Sequence, residues 1–194
     1  MKKLKCVFVM LTYLLVVNCG LEREPTIKIE GLNRKSNLFI EKKINQLKKL
    51  ANESIIVQAT EASNEKNFDL TNEEINFWAN NWIENNSENN PLIKELLSNN
   101  CSNYLKNYQK THPEILQIFV MDSQSLIVSA SNITSGYLHA EEDQFTEIFR
   151  KYTFWHGGVE FHESSKTFGI QISASIKDIG AICATINLKY ITKQ

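Results

Sequence analysis

The side chains that could do chemistry in this 194-residue sequence are widely separated along the chain. It has four histidines: His112, His139, His156 and His162. None has the His-x-x-x-His or Glu-x-x-His spacing that brings two ligands or an acid to one face of a helix. His156 and His162, with Glu163, could converge on a metal, but they flank and occupy one predicted strand. We therefore expect these residues to face solvent and predict no metal site.

Other catalytic arrangements are equally incomplete. Asp122 and Glu142 could act as an acid/base pair only if the fold brought them together in a cleft. Ser164 and Ser165 lie in a predicted turn that lacks the Gly-x-Ser-x-Gly context of a nucleophile. There is no glycine-rich phosphate loop. The sequence predicts a protein that is not an enzyme, with no catalytic residues and no cofactor.

Small polar side chains on one face of a predicted sheet are the remaining candidates. Within residues 167–176, one face carries Phe168, Ile170, Ile172, Ala174 and Ile176, and the other carries Gly169, Gln171, Ser173 and Ser175. Within residues 126–131, Leu126, Val128 and Ala130 alternate with Ile127, Ser129 and Ser131. The apolar face should pack on helices. The polar face could be solvated or could line a pocket.

The second half of the chain has the pattern of an antiparallel sheet. Two apolar runs, at residues 115–122 and 126–131, are separated by a short turn and predict a β-hairpin. An irregular piece and a short amphipathic helix follow. Three further strand-like runs are separated by residues 163–166 and 177–180. The pattern predicts an α+β domain with about five strands and helices laid across one face.

Helices are predicted before the sheet. The spacing of Ile40, Ile44, Leu47, Ala51, Ile55 and Ala59 predicts one long amphipathic helix over residues 33–67. A homodimer through this helix is an alternative, because the apolar positions are nearly heptad-spaced. Thr71 and Glu74 form a capping box for a second helix, whose Trp78 and Trp82 should be core residues rather than a ligand platform. A third helix follows Pro91 and continues to about Tyr108.

Several motifs in this order resemble a known family. They are Pro113-Glu114-Ile115 leading into Phe119-Val120-Met121-Asp122, then Ile133-Thr134-Ser135-Gly136-Tyr137, Val159-Glu160-Phe161-His162-Glu163-Ser164 and Gln171-Ile172-Ser173. The sequence from about Leu70 onward resembles the extracytoplasmic sensor domains called PDC or Cache, which have a PAS-like fold.

The resemblance implies a ligand site on the polar face of the sheet. In this family the segment between the second and third strands, here residues 134–151, often forms a roof over that face. A pocket between roof and sheet would hold a small molecule of unknown class. The ligand-binding residues expected from the resemblance are Ser129, Ser131, Thr134, Tyr137, Glu141, Glu142, Gln171 and Ser173.

The first 18 residues read as a targeting segment. Lys2, Lys3 and Lys5 precede an apolar run at residues 6–17, which is shorter than the ~20 residues of a membrane-spanning helix. Val16-Val17-Asn18-Cys19-Gly20 resembles a bacterial lipobox, in which lipid is attached to the cysteine. We predict a signal peptide at 1–18, lipidation at Cys19, a tether at 19–32 and a single domain at 33–194. The protein would then be extracytoplasmic and lipid-anchored to a bacterial membrane.

Charge and cysteine content restrict the partners. The formal net charge is −1, and removal of the targeting segment makes the chain more acidic. Nucleic acid is not expected, because its usual footprint is a basic patch. Cys101 and Cys183 should be separate buried thiols. The function predicted is a small-molecule sensor domain without an output module of its own. The alternative is a scaffold lipoprotein with a closed pocket that regulates a membrane signalling partner.

Overall fold

The computed structural model describes residues 27–150, 152–162 and 165–193. The proposed signal peptide and Cys19 lie outside the described residues. The strands are β1 (Ile115–Asp122), β2 (Ile127–Ala130), β3 (Phe154–His162), β4 (Thr167–Ile176) and β5 (Gly180–Asn187). They form one antiparallel sheet in the order β2-β1-β5-β4-β3. The predicted α+β class with five antiparallel strands is confirmed.

The prediction of one long first helix is wrong in one respect, because the helix is interrupted between Leu50 and Ser54. It forms α1 (Arg34–Leu50) and α2 (Ser54–Asn67), with Glu53 in an extended conformation at the start of α2. A straight helix over residues 33–67 would be about 50 Å long at 1.5 Å per residue, far longer than the strands. The break lets α1 pack on β4 and β5 while α2 packs on β1 and β2.

The helix expected after Pro91 is also divided. The next helices are α3 (Asn72–Glu84), α4 (Pro91–Ser98) and α5 (Asn100–Thr111). Asn99 separates α4 from α5 because its backbone is extended and its side chain accepts a hydrogen bond from Ser102 N. This is the N-cap geometry that starts a new helix. The Thr71–Glu74 capping box is confirmed. Trp82 is fully buried, as predicted, but the prediction that Trp78 is a core residue is wrong, because Trp78 is 39% exposed.

The helical face of the sheet holds the larger apolar core. Helices α1, α2 and α5 pack there on a cluster that includes Ile118, Val120, Ile170, Ile172 and Ile182. The face assignment of Ile170, Ile172, Ala174 and Ile176 in β4 is confirmed. In β2 the assignment holds for Val128, which belongs to the helical-side core, but it is wrong for Leu126 and Ala130, which belong to the cluster on the opposite face. A register shift between Val120 and Met121 disturbs the alternation.

The opposite face carries a second apolar cluster under α6 (Asp143–Arg150) and the segment before it. This cluster includes Phe119, Cys183, Tyr137, Phe145 and Ile148. The single turn of helix α7 (Leu188–Ile191), near the end of the described chain, packs against α1. Cys101 and Cys183 are both buried free thiols. No helix within the described residues is long and apolar enough to cross a bilayer.

Candidate functional site

The predicted roof lies directly on the sheet. One row of directly paired residues crosses all five strands on this face: Ala130, Phe119, Cys183, Ser173 and Trp155. The ring of His139 stacks on Phe119 with centroids 5.3 Å apart. Tyr137 stacks on Trp82 at 5.7 Å. Aromatic side chains therefore occupy the middle of the space in which the sequence predicted a ligand.

His139 and Glu142 are hydrogen-bonded to each other within the roof. His139 Nδ1 lies 2.7 Å from Glu142 Oε1, and its Nε2 lies 3.1 Å from the carbonyl of Gly136. Burial alone would raise the pKa of Glu142, but the hydrogen bond and charge of His139 and a hydrogen bond from Gln144 hold that pKa below its ordinary value. Glu142 thus carries a negative charge close to the sheet, where it adds to the effect of burial in raising the pKa of the Cys183 thiol.

Three of the predicted site residues are engaged in holding the fold. Ser129 pairs with Val120 on the helical side of the sheet, and its Oγ donates to Asn99 Oδ1 at 2.9 Å. Ser131 Oγ accepts from the backbone of Ile118 at 3.1 Å. Thr134 Oγ1 donates to the carbonyl of Gly136 at 2.6 Å. The structure therefore separates Ser129 from the roof-facing residues with which it was grouped.

The other predicted residues lie on or near the roofed face. Glu141 is exposed, and Gln171 is half-buried opposite Thr185. Ser173 is fully buried, and its Oγ has no hydrogen-bond partner among the described residues. Of this group, Ser173 lies within the cross-strand row beneath the roof. The polar face of β4 is thus covered at Ser173 and only partly covered at Gln171.

A groove lies elsewhere, at the β2 edge of the sheet between α2 and the α4–α5 pair. Its volume is about 440 Å³. Its apolar lining is Ile55, Ala59, Ala62, Leu92, Leu96, Cys101, Ile127, Val128 and Tyr137, and its polar lining is Gln58, Ser63, Lys66, Asn67, Asn99 and Asn100. We call this the edge groove. Tyr137 is the one predicted ligand residue among those that line it.

Buried polar groups along the edge groove are already hydrogen-bonded within the protein. Ser63 Oγ and Asn67 Nδ2 both donate to Asp122 Oδ2, at 2.9 and 2.8 Å. Asp122 is fully buried, and its other oxygen accepts from the backbone of Gln124 and Leu126, each at 3.0 Å. These bonds fasten the C-terminal part of α2 to the β1–β2 turn. They give the groove a fixed wall whose polar atoms are largely satisfied.

The outer side of strand β2 is covered at the groove. Asn99 Nδ2 donates to the carbonyl of Val128 at 2.9 Å, and the backbone N–H of Ala130 donates to Ser102 Oγ at 2.9 Å. The backbone N–H of Ile127 donates to the carbonyl of Tyr137 at 2.9 Å. Because these edge groups are paired, the groove presents side chains rather than a strand edge to a ligand.

Charge at the groove is confined to its rim. Lys66 Nζ, on α2, lies 3.2 Å from Glu95 Oε1, on α4, and both side chains are largely exposed. This pair links the two helical walls on the solvent side. Burial, with smaller contributions from the charges of Asp122 and Glu95, raises the pKa of Tyr137 to about 12. The Tyr137 phenol is therefore neutral at physiological pH.

The sequence reasoning missed most of the edge groove. Its walls come from four elements that are distant along the chain, so no local motif marks it. A partial signal was present in Asn99, where an N-cap residue three positions before Ser102 interrupts the apolar stripe. Within the described part of the chain, no group of three His, Cys, Asp or Glu residues is placed to hold a metal ion.

Comparison with known proteins gives remote likenesses only. No protein family matches the sequence, and no curated protein matches it. Among solved structures, the sensor domain of the Vibrio cholerae histidine kinase DctB is 14% identical, with a TM-score of 0.40 and 71% of this chain covered. The sensory domain of the Campylobacter jejuni chemoreceptor Tlp3, with isoleucine bound, is 13% identical, with a TM-score of 0.41 and 84% of this chain covered.

These structures are sensor domains, the class that the sequence resembles. The extracellular domain of the histidine kinase rpHK1S-Z16 is a third, at 14% identity, a TM-score of 0.39 and 80% of this chain covered. This chain spans 58% of the DctB domain, 67% of the Tlp3 domain and 62% of the rpHK1S-Z16 domain. At this level of likeness, the fold assignment rests on the sheet itself.

Proposed function

We propose that this protein is a sensor-type binding domain that holds a small molecule in the edge groove. The observation that carries the proposal is the groove's volume of about 440 Å³ together with its largely apolar lining. Ligand sites are typically concave, mostly apolar and roughly 300–1,000 Å³ in volume. We propose the edge groove in place of the site predicted under the roof, because the stacked rings of His139 and Phe119 occupy that space.

The lining favours an amphipathic ligand. Inside the groove Leu96, Val128 and Ala62 offer apolar surface, whereas Ser63 and Asn67 are bonded to Asp122. A ligand that brought several polar groups inside would leave them unsatisfied, at a cost of about 1–3 kcal/mol each. Lys66 is the cation among the lining residues and lies at the rim. A small carboxylic acid with an aliphatic or aromatic body matches this arrangement.

The same proposal includes the location of the protein. Residues 1–18 would be removed as a signal peptide, and lipid on Cys19 would hold the domain at the outer side of a bacterial membrane. Any signal would then pass to a membrane partner. A homodimer through α1 is compatible with this arrangement, since Leu38 on that helix is exposed.

A thermal-shift screen of the purified protein tests the binding proposal. A ligand that binds only the folded state adds roughly 2.7 kcal/mol of stability at a hundredfold excess over Kd. Amino acids, amines, purines and short- to medium-chain carboxylic acids form the probe set, and we expect a shift from the acids. Ala62→Phe should fill the groove and abolish the shift. Glu61→Phe, at the neighbouring position of the same helix, which does not line the groove, should leave the shift unchanged.

A second candidate function is a scaffold without a ligand. The closed roof favours it, because Tyr137 and His139 are buried against Trp82 and Phe119. If the protein is a scaffold without a ligand, no probe shifts the melting temperature. The Ala62→Phe and Glu61→Phe variants then show the same absence of a probe-induced shift. A shift that is lost in Ala62→Phe but retained in Glu61→Phe would exclude the scaffold as the sole function.

A further inference from the structure

An apolar surface lies on the β3–β4 hairpin, beyond the reach of the helices. Val159, Phe161 and Phe168 are 37%, 46% and 50% exposed. The Phe161 and Phe168 rings are directly paired across the two strands and meet edge to face, with centroids 5.3 Å apart. We call these three residues the hairpin patch. It continues the apolar face of β4 past the residues that α1 covers.

The hairpin patch lies at one defined end of the sheet. Gly169, next to Phe168, pairs with Asn187, which is the last residue of β5. At the other end of β4, Ile176 pairs with Gly180, about 26 Å away at 3.3 Å per residue. Phe68 lies near that opposite end, because its neighbour Asn67 bonds to Asp122, which pairs with Gly180.

The N-terminal part of the chain enters the fold at the same end as the hairpin patch. Helix α7 begins directly after Asn187, and the Ser36 hydroxyl in the first turns of α1 donates to the carbonyl of Ile191 at 3.0 Å. The described chain therefore begins, at residue 27, at the end of the sheet where the hairpin lies, and residues 1–26 precede it in the sequence. These residues include the apolar run at 6–17 and the proposed lipid site at Cys19. Whatever holds the N-terminal part to a membrane would bring this end of the domain to the bilayer.

Charge at this end also suits a membrane surface. Arg34 and Lys35 begin α1, and Lys189 and Lys193 lie in and after α7. Glu160 lies between Val159 and Phe161 in β3, so its side chain projects to the opposite face of the strand. Basic side chains beside exposed apolar rings are the usual composition of surfaces that bind anionic lipid headgroups.

We infer that the hairpin patch is a membrane-contacting surface, in which Phe161 and Phe168 enter the interfacial region of an anionic bilayer. The inference rests on the proposed membrane anchoring and adds to it an orientation of the domain. The sheet would stand with the hairpin and α7 toward the lipid. The β1–β2 turn and Phe68 would then point away from the bilayer.

Photocrosslinking of the full chain tests this orientation. Benzoylphenylalanine is introduced at Phe161, or separately at Phe168, and the protein is produced in bacteria and recovered from the membrane fraction. Phe68, which is 79% exposed at the opposite end, is the matched control position. After irradiation, mass spectrometry of the labelled peptide distinguishes phospholipid adducts from protein adducts. We expect lipid adducts at Phe161 and Phe168 that exceed those at Phe68 by at least several-fold.

The outcomes separate this inference from the anchoring itself. If the protein is membrane-bound but Phe161 and Phe168 form adducts with a second copy or another protein, the hairpin patch is a protein interface and the inference is wrong. Equal lipid adducts at all three positions would also overturn it, because they would indicate no preferred orientation. If the protein is absent from the membrane fraction, the anchoring proposal fails and the orientation fails with it.

Discussion

Asn99 Oδ1 accepts a hydrogen bond from Ser129 Oγ at 2.9 Å, across the junction between α5 and the edge strand β2. The same amide caps α5 through Ser102 N at 2.8 Å and donates to the carbonyl of Val128 at 2.9 Å. One side chain therefore starts a helix, covers a strand edge and forms part of the groove lining. Asn99 therefore determines both where α4 ends and α5 begins and where this wall of the groove lies.

Replacing Asn99 should be costly for this reason. Asn99→Ala removes an N-cap, worth typically about 1 kcal/mol, and leaves the carbonyl of Val128 without its partner. We expect a total loss of about 2–3 kcal/mol in the free energy of unfolding, measured by urea denaturation. Asn103→Ala is the control, because its amide makes an exposed bond to the carbonyl of Ser98. Equal losses in the two variants would contradict this assignment.

Substitution by alanine should affect the stability of the protein differently at two buried serines. Ser129→Ala removes the partner of Asn99 and should cost about 1 kcal/mol. Ser173→Ala removes a fully buried hydroxyl that has no partner among the described residues. We expect it to be neutral or stabilising, because no hydrogen bond is lost and a desolvated polar group disappears. Denaturant midpoints of both variants, compared at one pH, give the result.

Gly180 should not tolerate a side chain. A Cβ there would lie 2.3 Å from the carbonyl oxygen of Met121 and 2.5 Å from Thr60 Cγ2. Because one of these atoms is backbone, Gly180→Ala must displace β1 or α2, and we expect a loss of about 1–3 kcal/mol. Gly158→Ala is the matched control, since a Cβ there meets nothing within 4 Å. Similar melting temperatures for the two variants would show that the β1–β5 contact is looser than described.

The ion pair between Lys43 and Glu114 should make the free energy of unfolding depend on pH in the acid range. The two side chains are 10% and 11% exposed. Burial alone would raise the pKa of Glu114, but the hydrogen bond and charge of Lys43, with backbone and His112 contributions, lower it below 4.5. A carboxyl group with a depressed folded-state pKa stabilises the protein above its unfolded pKa. This stabilisation should be lost as the pH falls below about 4.5.

Variants of the pair give the sign of this effect. Glu114→Gln should flatten the loss of stability below about pH 4.5, because the linked proton is gone. Lys43→Met should cost about 3 kcal/mol at neutral pH, because it leaves Glu114 buried without its cation. Burial would then raise the pKa of Glu114, so acid should relieve part of the loss. Urea midpoints measured across the acid range give the pH dependence of stability for each variant. Parallel pH dependences for the wild type and the two variants would contradict the proposed link between Lys43 and the protonation of Glu114.

Membrane association should depend on Cys19. Cys19→Ser should move the protein from the membrane fraction to the soluble extracytoplasmic fraction, because the apolar run at residues 6–17 is short for a bilayer span. Cys6→Ser, a change within the proposed signal peptide, is the control and should not alter the distribution. Equal membrane retention of the Cys19 variant and the wild type would exclude lipid attachment as the anchor.

The strands and much of the local structure could be predicted from the sequence alone. The period-two pattern of β4 predicted which residues enter the helical-side core, and Ile170 and Ile172 are there. The Thr71–Glu74 capping box could also be predicted from the sequence, because it involves residues only three positions apart. Such features depend on local backbone geometry and on the burial of one face, and both are encoded in short stretches.

The positions of the helix breaks and of the proposed ligand site depend on tertiary packing and could not be predicted from local sequence. The apolar stripe runs through Ala51 without interruption, yet the chain turns there because one straight helix would overshoot the sheet. Ser129 and Ser173 look alike in sequence, but a register shift in the β1–β2 pair and packing against Asn99 place them on opposite faces. The edge groove exists because α2, α4, α5 and β2 meet in space. Their packing depends on long-range contacts that no local pattern specifies.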